Sequence, residues 1–184
     1  SLSLYQPPIR VAEEMAMLDI MSGGRLVAGF PVGTSMDTTF SYGQVPAQLR
    51  ERHTEAHDLI IKAWTEREPF IFNGKYNKLR YVNVWPRPLQ QPHPPVWVPG
   101  SGSLETWDWV LDRNYVYCYL SYFGYLRGLG VVKGFWDRVA ERGVDAVNVE
   151  AMDNLAAAEA ADIAALTVPF AHQRDTLELL KNAL

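Results

Sequence analysis

The segment Gly100-Ser101-Gly102-Ser103 has the residue types of an anion-binding turn, and it lies between a predicted strand and a predicted helix. Such a turn leaves backbone amides without partners at the start of the helix, where the helix dipole also favours an anion. The hydroxyls of Ser101 and Ser103 can donate further hydrogen bonds to phosphate oxygens. The segment therefore predicts a phosphate site. A simpler interpretation stays open, in which Ser103 only caps the helix and the glycines only make a tight turn.

A second candidate for ligand contact is the loop Pro31-Val32-Gly33-Thr34-Ser35, which follows another predicted strand. Ligands of parallel α/β proteins bind at the carboxyl ends of the strands. Gly33 and Thr34 are therefore placed where they could touch the ring of a ligand. An ordinary connecting loop is the alternative, and the residue types alone do not decide between the two.

Two histidines, His53 and His57, lie four positions apart on one predicted helix, which is a spacing used by metal ligands. Neither a metalloprotease motif nor a third ligand accompanies them, so we predict no metal site. His53 lies on the inner face of the helix, where a lone histidine is more often a hydrogen-bonded core residue than a ligand. Cys118, the one cysteine of the sequence, lies in an apolar strand and is predicted to pack rather than to act as a nucleophile.

The composition excludes several classes of protein and partner. The 17 basic and 21 acidic residues give a net charge of −4, which provides no general attraction to nucleic acid or to anionic lipid. A single cysteine excludes an intrachain disulfide. The sequence has no G-x-S-x-G, Walker or G-x-G-x-x-G motif, so hydrolase and nucleotide-triphosphatase functions lack support. We expect a cytoplasmic protein without membrane contact, because neither a run of about 18 apolar residues nor a signal-like start is present.

The hydrophobic pattern predicts helices that alternate with strands. A helix that starts after Pro8 is followed by a strand over Arg25–Phe30 and a loop over Pro31–Gly43. Pro46 opens a long second helix. The inner face of this second helix consists of Leu49, His53, Ala56, Ile60, Ala63 and Trp64.

A hairpin and an extended strap interrupt the alternation over residues 68–95. Phe70–Phe72 and Lys75-Tyr76 flank Asn73-Gly74, a residue pair that supplies the positive φ angles of a tight hairpin turn. The strap is predicted from prolines, whose fixed φ angles and missing amide donors exclude helix and central strand. These prolines are Pro86, Pro88, Pro92, Pro94 and Pro95.

Beyond the strap the alternation resumes and predicts an α/β fold. The further elements are a strand over Val96–Val98, a helix over Leu104–Asp112, a strand over Tyr115–Leu120, a helix over Leu126–Glu141, a weaker strand over Val144–Val149, and helices over Ala151–Leu166 and Gln173–Leu184. Strands that alternate with helices in this way pair in parallel through right-handed crossovers. The alternation alone leaves an open sheet and a barrel equally allowed.

Four segments, in this order, resemble the bacterial luciferase-like flavin-dependent oxidoreductases. They are V-A-E-E-M-A-M-L-D-I-M-S-G-G-R-L with its strand, R-E-R-H-T-E-A, F-N-G-K-Y leading to W-P-R-P-L-Q-Q-P-H-P-P-V-W-V, and G-S-G-S-L-E-T-W. Together they cover residues from about 7 to 109. The first segment and the proline strap are fairly specific, whereas G-S-G-S alone is weak.

The resemblance implies a (β/α)₈ TIM barrel that binds reduced FMN, or a deazaflavin in a related branch, at the carboxyl ends of the strands. Such a protein uses molecular oxygen to oxidise a small organic substrate, obtains reduced flavin from a flavin reductase, and is a homo-oligomer, often a dimer. By this resemblance Ser101, Gly102 and Ser103 contact the flavin phosphate. Gly33 and Thr34 are matched more loosely to a loop beside the flavin.

Two residues depart from the family pattern. Val32 stands where luciferase has an arginine, so one contact with the phosphate or the ring is absent or is supplied elsewhere. His53 stands where the sulfonate and alkane branches have a tyrosine, and its imidazole could donate to the phosphate in place of the phenol. His53 is therefore also a candidate cofactor-binding residue.

The length of the chain is the larger departure. A complete barrel needs about 250 residues, whereas this chain has 184. The start of the chain corresponds to the third helix of the family's barrel, and the resemblance fades after about Val144. We expect residues 1–184 to form one partial barrel domain with a poorly matched segment over 144–184, completed by more of the same molecule or by another chain. The sequence names no catalytic residue. The alternatives are a flavin-binding protein without turnover and a phosphate-binding barrel enzyme without flavin.

Overall fold

The computed structural model describes residues 7–33, 36–120 and 124–144. Thr34, almost all of the strand predicted over Val144–Val149 and both helices predicted after it lie outside the described residues. The strands are β1 (Ala28–Gly29), β2 (Phe70–Asn73), β3 (Lys78–Val82), β4 (Val96–Gly100) and β5 (Val116–Tyr119). The α-helices are α1 (Pro8–Met21), α2 (Met36–Ser41), α3 (Leu49–Thr65), α4 (Leu104–Asp112) and α5 (Tyr125–Glu141).

Three of the strands form a parallel sheet in the order β1-β4-β5. Ala28 of β1 lies opposite Val96 of β4, and Val98 of β4 lies opposite Tyr117 of β5. Val96 and Val98 are buried in one hydrophobic core with side chains from α1 and α3. The prediction of a parallel α/β fold is therefore confirmed.

The first strand is much shorter than predicted, because only Ala28–Gly29 has strand geometry. Side chains from the end of α1, rather than a neighbouring strand, hold the residues that precede it. The amide of Arg25 donates to Ser22 Oγ at 3.2 Å, and the amide of Leu26 donates to Asp19 Oδ1 at 3.4 Å. The prediction of a strand over 25–30 was wrong in its extent for this reason.

The predicted loop after β1 contains a helix, α2 (Met36–Ser41). The loop was predicted because residues 31–43 are rich in Gly, Ser and Thr, but the two glycines, Gly33 and Gly43, flank the helix instead of interrupting it. The six residues of α2 include neither glycine nor proline, so nothing in the backbone opposes one and a half turns of helix. The prediction of a loop throughout this stretch is corrected accordingly.

Helix α3 (Leu49–Thr65) follows a single 3₁₀ turn over Pro46–Gln48. Every residue predicted on its inner face is buried, which confirms the helical periodicity. The indole of Trp64 donates to the carbonyl of Ala12 at 2.9 Å and so links α3 to α1. No helix among the described residues is both long enough and apolar enough to cross a membrane.

The hairpin exists, but its turn differs from the prediction. The turn spans residues 74–77, and neither Asn73 nor Gly74 has a positive φ angle. The Glu55 carboxylate on α3 accepts hydrogen bonds from the amides of Lys75, Tyr76 and Asn77 at 2.6 to 3.1 Å, and thereby holds these residues in a wider turn. Gly74 is needed because a Cβ there would lie 2.5 Å from this carboxylate.

The strap between β3 and β4 has neither helix nor strand geometry, as its prolines predict. Its peptide bonds Trp85-Pro86 and Gln91-Pro92 are cis. Buried Asp19 at the end of α1 accepts hydrogen bonds from the amide and the side chain of Gln90 at 2.9 and 2.7 Å. These bonds tie the strap to α1 next to the start of the parallel sheet.

Candidate functional site

The Gly100–Ser103 turn connects β4 to α4 at the carboxyl end of the parallel sheet. Ser103 is the N-cap of α4, and its hydroxyl accepts from the Thr106 amide at 3.3 Å. Ser103 therefore caps the helix, and whether it also contacts a phosphate stays a prediction. The cap does not exhaust the donors of the turn, because the amides of Leu104 and Glu105 in the first helical turn have no intrahelical acceptor.

Arg50 on α3 places a cation beside this turn. Its Nη2 lies 3.3 Å from both Ser103 Oγ and Thr106 Oγ1, and its Nη1 lies 3.3 Å from Thr106 Oγ1. The guanidinium is exposed to solvent. A cation, two hydroxyls that hydrogen-bond to each other at 2.8 Å and the first amides of α4 thus lie close together, and groups of these types suit the binding of a phosphate.

Sequence reasoning missed Arg50. The residue precedes Ser103 by 53 positions, and the family resemblance indicated only the position of Val32, where luciferase has an arginine, as a place for a cation. The available signal was position: Arg50 is the second residue of a helix that starts near the carboxyl end of the sheet. Val32 is half-buried in the loop after β1.

The turn requires glycine at Gly102 because its φ angle is +107° and because α5 lies close by. A Cβ on Gly102 would lie 3.0 Å from the side chain of Val131. A Cβ on Gly100 would lie 3.0 Å from the ring of Tyr117. Ser101, between the two glycines, is half-buried. The turn is therefore packed tightly against both α5 and β5.

Two buried polar atoms beneath the turn have no hydrogen-bond partner among the described residues. They are the hydroxyl of Tyr117 and the indole Nε1 of Trp107. Their rings meet edge to face, with centroids 6.2 Å apart. Burial raises the pKa of Tyr117, while the Trp107 indole and the Gly102 amide act in the opposite direction. Buried polar groups without a partner are uncommon in proteins.

Gly33 lies at the same edge of the sheet as the turn. The Phe30 amide donates to the Trp97 carbonyl at 2.8 Å, so the chain leaving β1 still runs beside β4. Gly33 follows three residues later and is half-buried. Its contact with a ligand stays a prediction, and the same holds for Thr34.

His53 is buried, with 1% of its surface exposed. Its Nε2 lies 3.0 Å from the carbonyl oxygen of Phe30. Burial lowers the pKa of His53 to about 4, so the ring is neutral at pH 7 and Nε2 must carry the proton that it donates to this oxygen. In this arrangement Nε2 cannot also donate to phosphate, and His53 instead fixes the chain that leads from β1 to Gly33.

His57 and Cys118 lie outside this set of donors. The Nδ1 of His57 lies 2.8 Å from Asp58 Oδ1, and its Nε2 lies 2.9 Å from the hydroxyl of Tyr115 before β5. Within the described ranges no group of three His, Cys, Asp or Glu side chains could hold a metal ion. Burial raises the pKa of Cys118, which keeps the thiol protonated.

Comparison with known proteins places most of this chain in one family. The family model for luciferase-like monooxygenases matches residues 2–119. An uncharacterized protein of Mycobacterium tuberculosis is 30% identical over 110 residues, which are 60% of this chain and 38% of that protein. The oxygenase component of the flavin-dependent trigonelline monooxygenase of Acinetobacter baylyi is 35% identical over 96 residues, which are 50% of this chain and 25% of that protein.

A solved structure has a similar fold. It is the oxygenating constituent of 3,6-diketocamphane monooxygenase of Pseudomonas putida in complex with FMN, with a TM-score of 0.64 and 22% identity. The match covers 82% of this chain and 43% of that one. The chain thus spans less than half the length of the relatives it matches.

Proposed function

Because this chain belongs to the luciferase-like monooxygenase family, we propose that it carries the phosphate-binding site of a flavin-dependent monooxygenase. The complete protein uses reduced FMN and molecular oxygen to oxidise a small organic substrate. The observation that carries the proposal is the convergence of Arg50, Ser103 and Thr106 at the start of α4. Reduced flavin, when bound, supplies the electrons for the reaction with oxygen.

The donors at the start of α4 suit a phosphate monoester, which carries about two negative charges near neutral pH. Arg50 neutralises part of this charge, and the helix dipole favours the rest. The Ser103 and Thr106 hydroxyls lie 2.8 Å apart and hydrogen-bond to each other, so one of them, together with the amides of Leu104 and Glu105, donates hydrogen bonds to the phosphate oxygens. Hydrogen bonds that involve a charged group contribute about 1.5 to 3 kcal/mol each.

The flavin ring, in this proposal, lies along the carboxyl edge of β1 and β4, beside Gly33. Two contacts shape that edge: His53 donates to the Phe30 carbonyl, and the Phe30 amide donates to Trp97. His53 therefore positions the loop that faces the ring instead of binding the phosphate itself. Thr34 belongs to the same loop in the sequence.

We place the parallel sheet in a (β/α)₈ barrel that further strands complete. One face of the sheet is buried against helices through Val96 and Val98. Val27, Trp97 and Val116, by contrast, are exposed large apolar residues in and beside the strands. Parallel sheets in proteins are normally covered on both faces, and closure into a barrel would cover these side chains.

Binding of FMN and of riboflavin to the full-length protein tests the phosphate site. Riboflavin lacks only the phosphate, so loss of two or more charge-assisted hydrogen bonds should weaken its binding at least about a hundredfold relative to FMN. Equal affinity for both, or no binding of either, would contradict the proposal. If the protein binds a deazaflavin more tightly than FMN, it belongs to the deazaflavin-dependent branch of the family instead.

Turnover separates a monooxygenase from a flavin-binding protein without activity. A monooxygenase consumes oxygen in the presence of reduced FMN at a rate that an organic substrate stimulates, whereas a binding protein shows tight FMN binding and no such stimulation. We propose a separate flavin reductase as the source of reduced flavin, since the relative from Acinetobacter baylyi is an oxygenase component. A homodimer is expected, and light scattering of the full-length protein measures it.

A further inference from the structure

Two aromatic side chains, Trp107 and Tyr117, lie beneath the Gly100–Ser103 turn and are called its floor below. Each has a buried polar atom without a hydrogen-bond partner among the described residues. The Trp107 side chain on α4 is 7% exposed, and both its Nε1 and the Tyr117 hydroxyl are buried without a hydrogen bond. Tyr117 also stacks on Phe135 of α5, with centroids 5.1 Å apart and planes at 23°. The two rings are thus clamped in place beneath the turn.

The turn backbone rests directly on this floor. A Cβ built on Gly100 would lie 3.0 Å from Tyr117 Cε2 and 3.5 Å from the Tyr117 hydroxyl. The Gly102 amide and the Trp107 indole are the two donors close enough to favour the ionised form of the Tyr117 phenol, although burial outweighs them and raises its pKa. The Tyr117 hydroxyl therefore lies against the backbone of the turn and beside the Trp107 ring, and it has no hydrogen-bond partner among the described residues.

We propose that Tyr117 is a positioning residue for the phosphate turn. In the flavin-bound protein its hydroxyl oxygen accepts hydrogen bonds from the Gly102 amide and the Trp107 indole, and these bonds fix the turn in the conformation that directs Ser103, Leu104 and Glu105 at the phosphate. The inference rests on the proposed function, because it takes the turn to be the phosphate site. Tyr117 itself does not touch the phosphate, since its hydroxyl is buried.

This arrangement predicts an unusual pair of effects for Tyr117→Phe. Without ligand, the substitution removes a buried hydroxyl that has no partner, so the thermal midpoint stays the same or rises. With ligand, it removes hydrogen bonds that hold the turn, so FMN binding weakens about five- to tenfold, the effect of losing one to two neutral hydrogen bonds. Riboflavin binding stays unchanged because it does not use the turn.

A matched control is Tyr115→Phe, which removes a tyrosine hydroxyl just before the same strand. That hydroxyl is hydrogen-bonded to His57 at 2.9 Å, so its loss should lower the thermal midpoint and leave the ratio of FMN to riboflavin affinity unchanged. A purely structural role for Tyr117 would give the same pattern as this control. Trp107→Phe removes the second polar atom of the floor and should lower the same ratio, and it replaces Tyr117→Phe as the test if that variant does not fold.

The measurement is calorimetric titration of the full-length wild type and variants with FMN and with riboflavin, together with thermal unfolding. A selective loss of FMN affinity in Tyr117→Phe, with an undiminished midpoint, supports the inference. If the wild type prefers FMN, but Tyr117→Phe and Trp107→Phe have the same ratio of FMN to riboflavin affinity as the wild type, the inference is overturned and the phosphate site stands. If the wild type shows no preference for FMN, the proposed function falls and the inference falls with it.

Discussion

Replacement of Arg50 by glutamine removes the cation of the site and keeps a polar side chain of moderate length. Arg50 contacts both Ser103 and Thr106 at 3.3 Å, where a phosphate oxygen would lie within reach of the same guanidinium. A hydrogen bond to a charged group contributes about 1.5 to 3 kcal/mol, and the lower part of this range applies because Arg50 is exposed. A loss of about 1.5 to 2 kcal/mol corresponds to FMN binding that is about 12- to 30-fold weaker.

Titration of Arg50→Gln with FMN and riboflavin at low and high salt provides the assay. Wild-type affinity for FMN should fall as salt rises, the variant should show a smaller salt dependence, and riboflavin affinity should be the same in both. Arg52→Gln is the matched control, because Arg52 lies on the same helix but its guanidinium stacks 4.1 Å above the Tyr76 ring. FMN affinity within about twofold of wild type in Arg50→Gln, or equal losses in both variants, would refute the reasoning.

Three further predictions concern stability. The pKa of His53 in the folded state, about 4, lies below its ordinary value of 6.5, so between these pH values the unfolded state binds more protons. As the pH falls from 6.5 to 4, the free energy of unfolding should therefore fall by up to about 1.4 kcal/mol per pH unit. Equal free energies of urea unfolding at pH 7 and pH 5 would contradict this. Asp19→Ala leaves the amide of Gln90 in the strap without its hydrogen-bond acceptor and should lower the free energy of urea unfolding by about 3 kcal/mol. A decrease of less than about 1 kcal/mol would contradict a stabilising link between the strap and α1. In α5, the methyl group of Gly130→Ala enters open space and should raise the free energy of unfolding by about 1 kcal/mol. Gly134→Ala would place a Cβ 2.9 Å from Trp107 and should lower the free energy of unfolding. A change of the same sign in both variants would contradict the described packing of α5 on Trp107.

Local patterns in the sequence predicted the helices best. The spacing of Leu49, Ala56, Ile60 and Trp64 defines the buried face of α3, and each of these residues is buried in the structure. Periodicity works here because a helix buries one stripe along its whole length. The glycine turn before α4 was also predictable, since its residues are adjacent in the sequence.

Features that depend on distant residues were not predictable in this way. Asn73-Gly74 favours a two-residue turn by itself, but Glu55 is a partner from another element and holds a wider turn. Arg50 reaches Ser103 only because α3 packs beside the start of α4. The sequence allowed His53 as a phosphate donor, but the partner of its Nε2 is the Phe30 carbonyl, which precedes it by 23 positions and comes from the chain after β1.

The position of the phosphate in a crystal structure of the full-length protein with FMN tests the central claim most directly. Our account predicts phosphate oxygens at about 3 Å from the Arg50 guanidinium, the Ser103 hydroxyl and the first amides of α4. A flavin phosphate bound at another strand end, with the start of α4 filled by water alone, would contradict it.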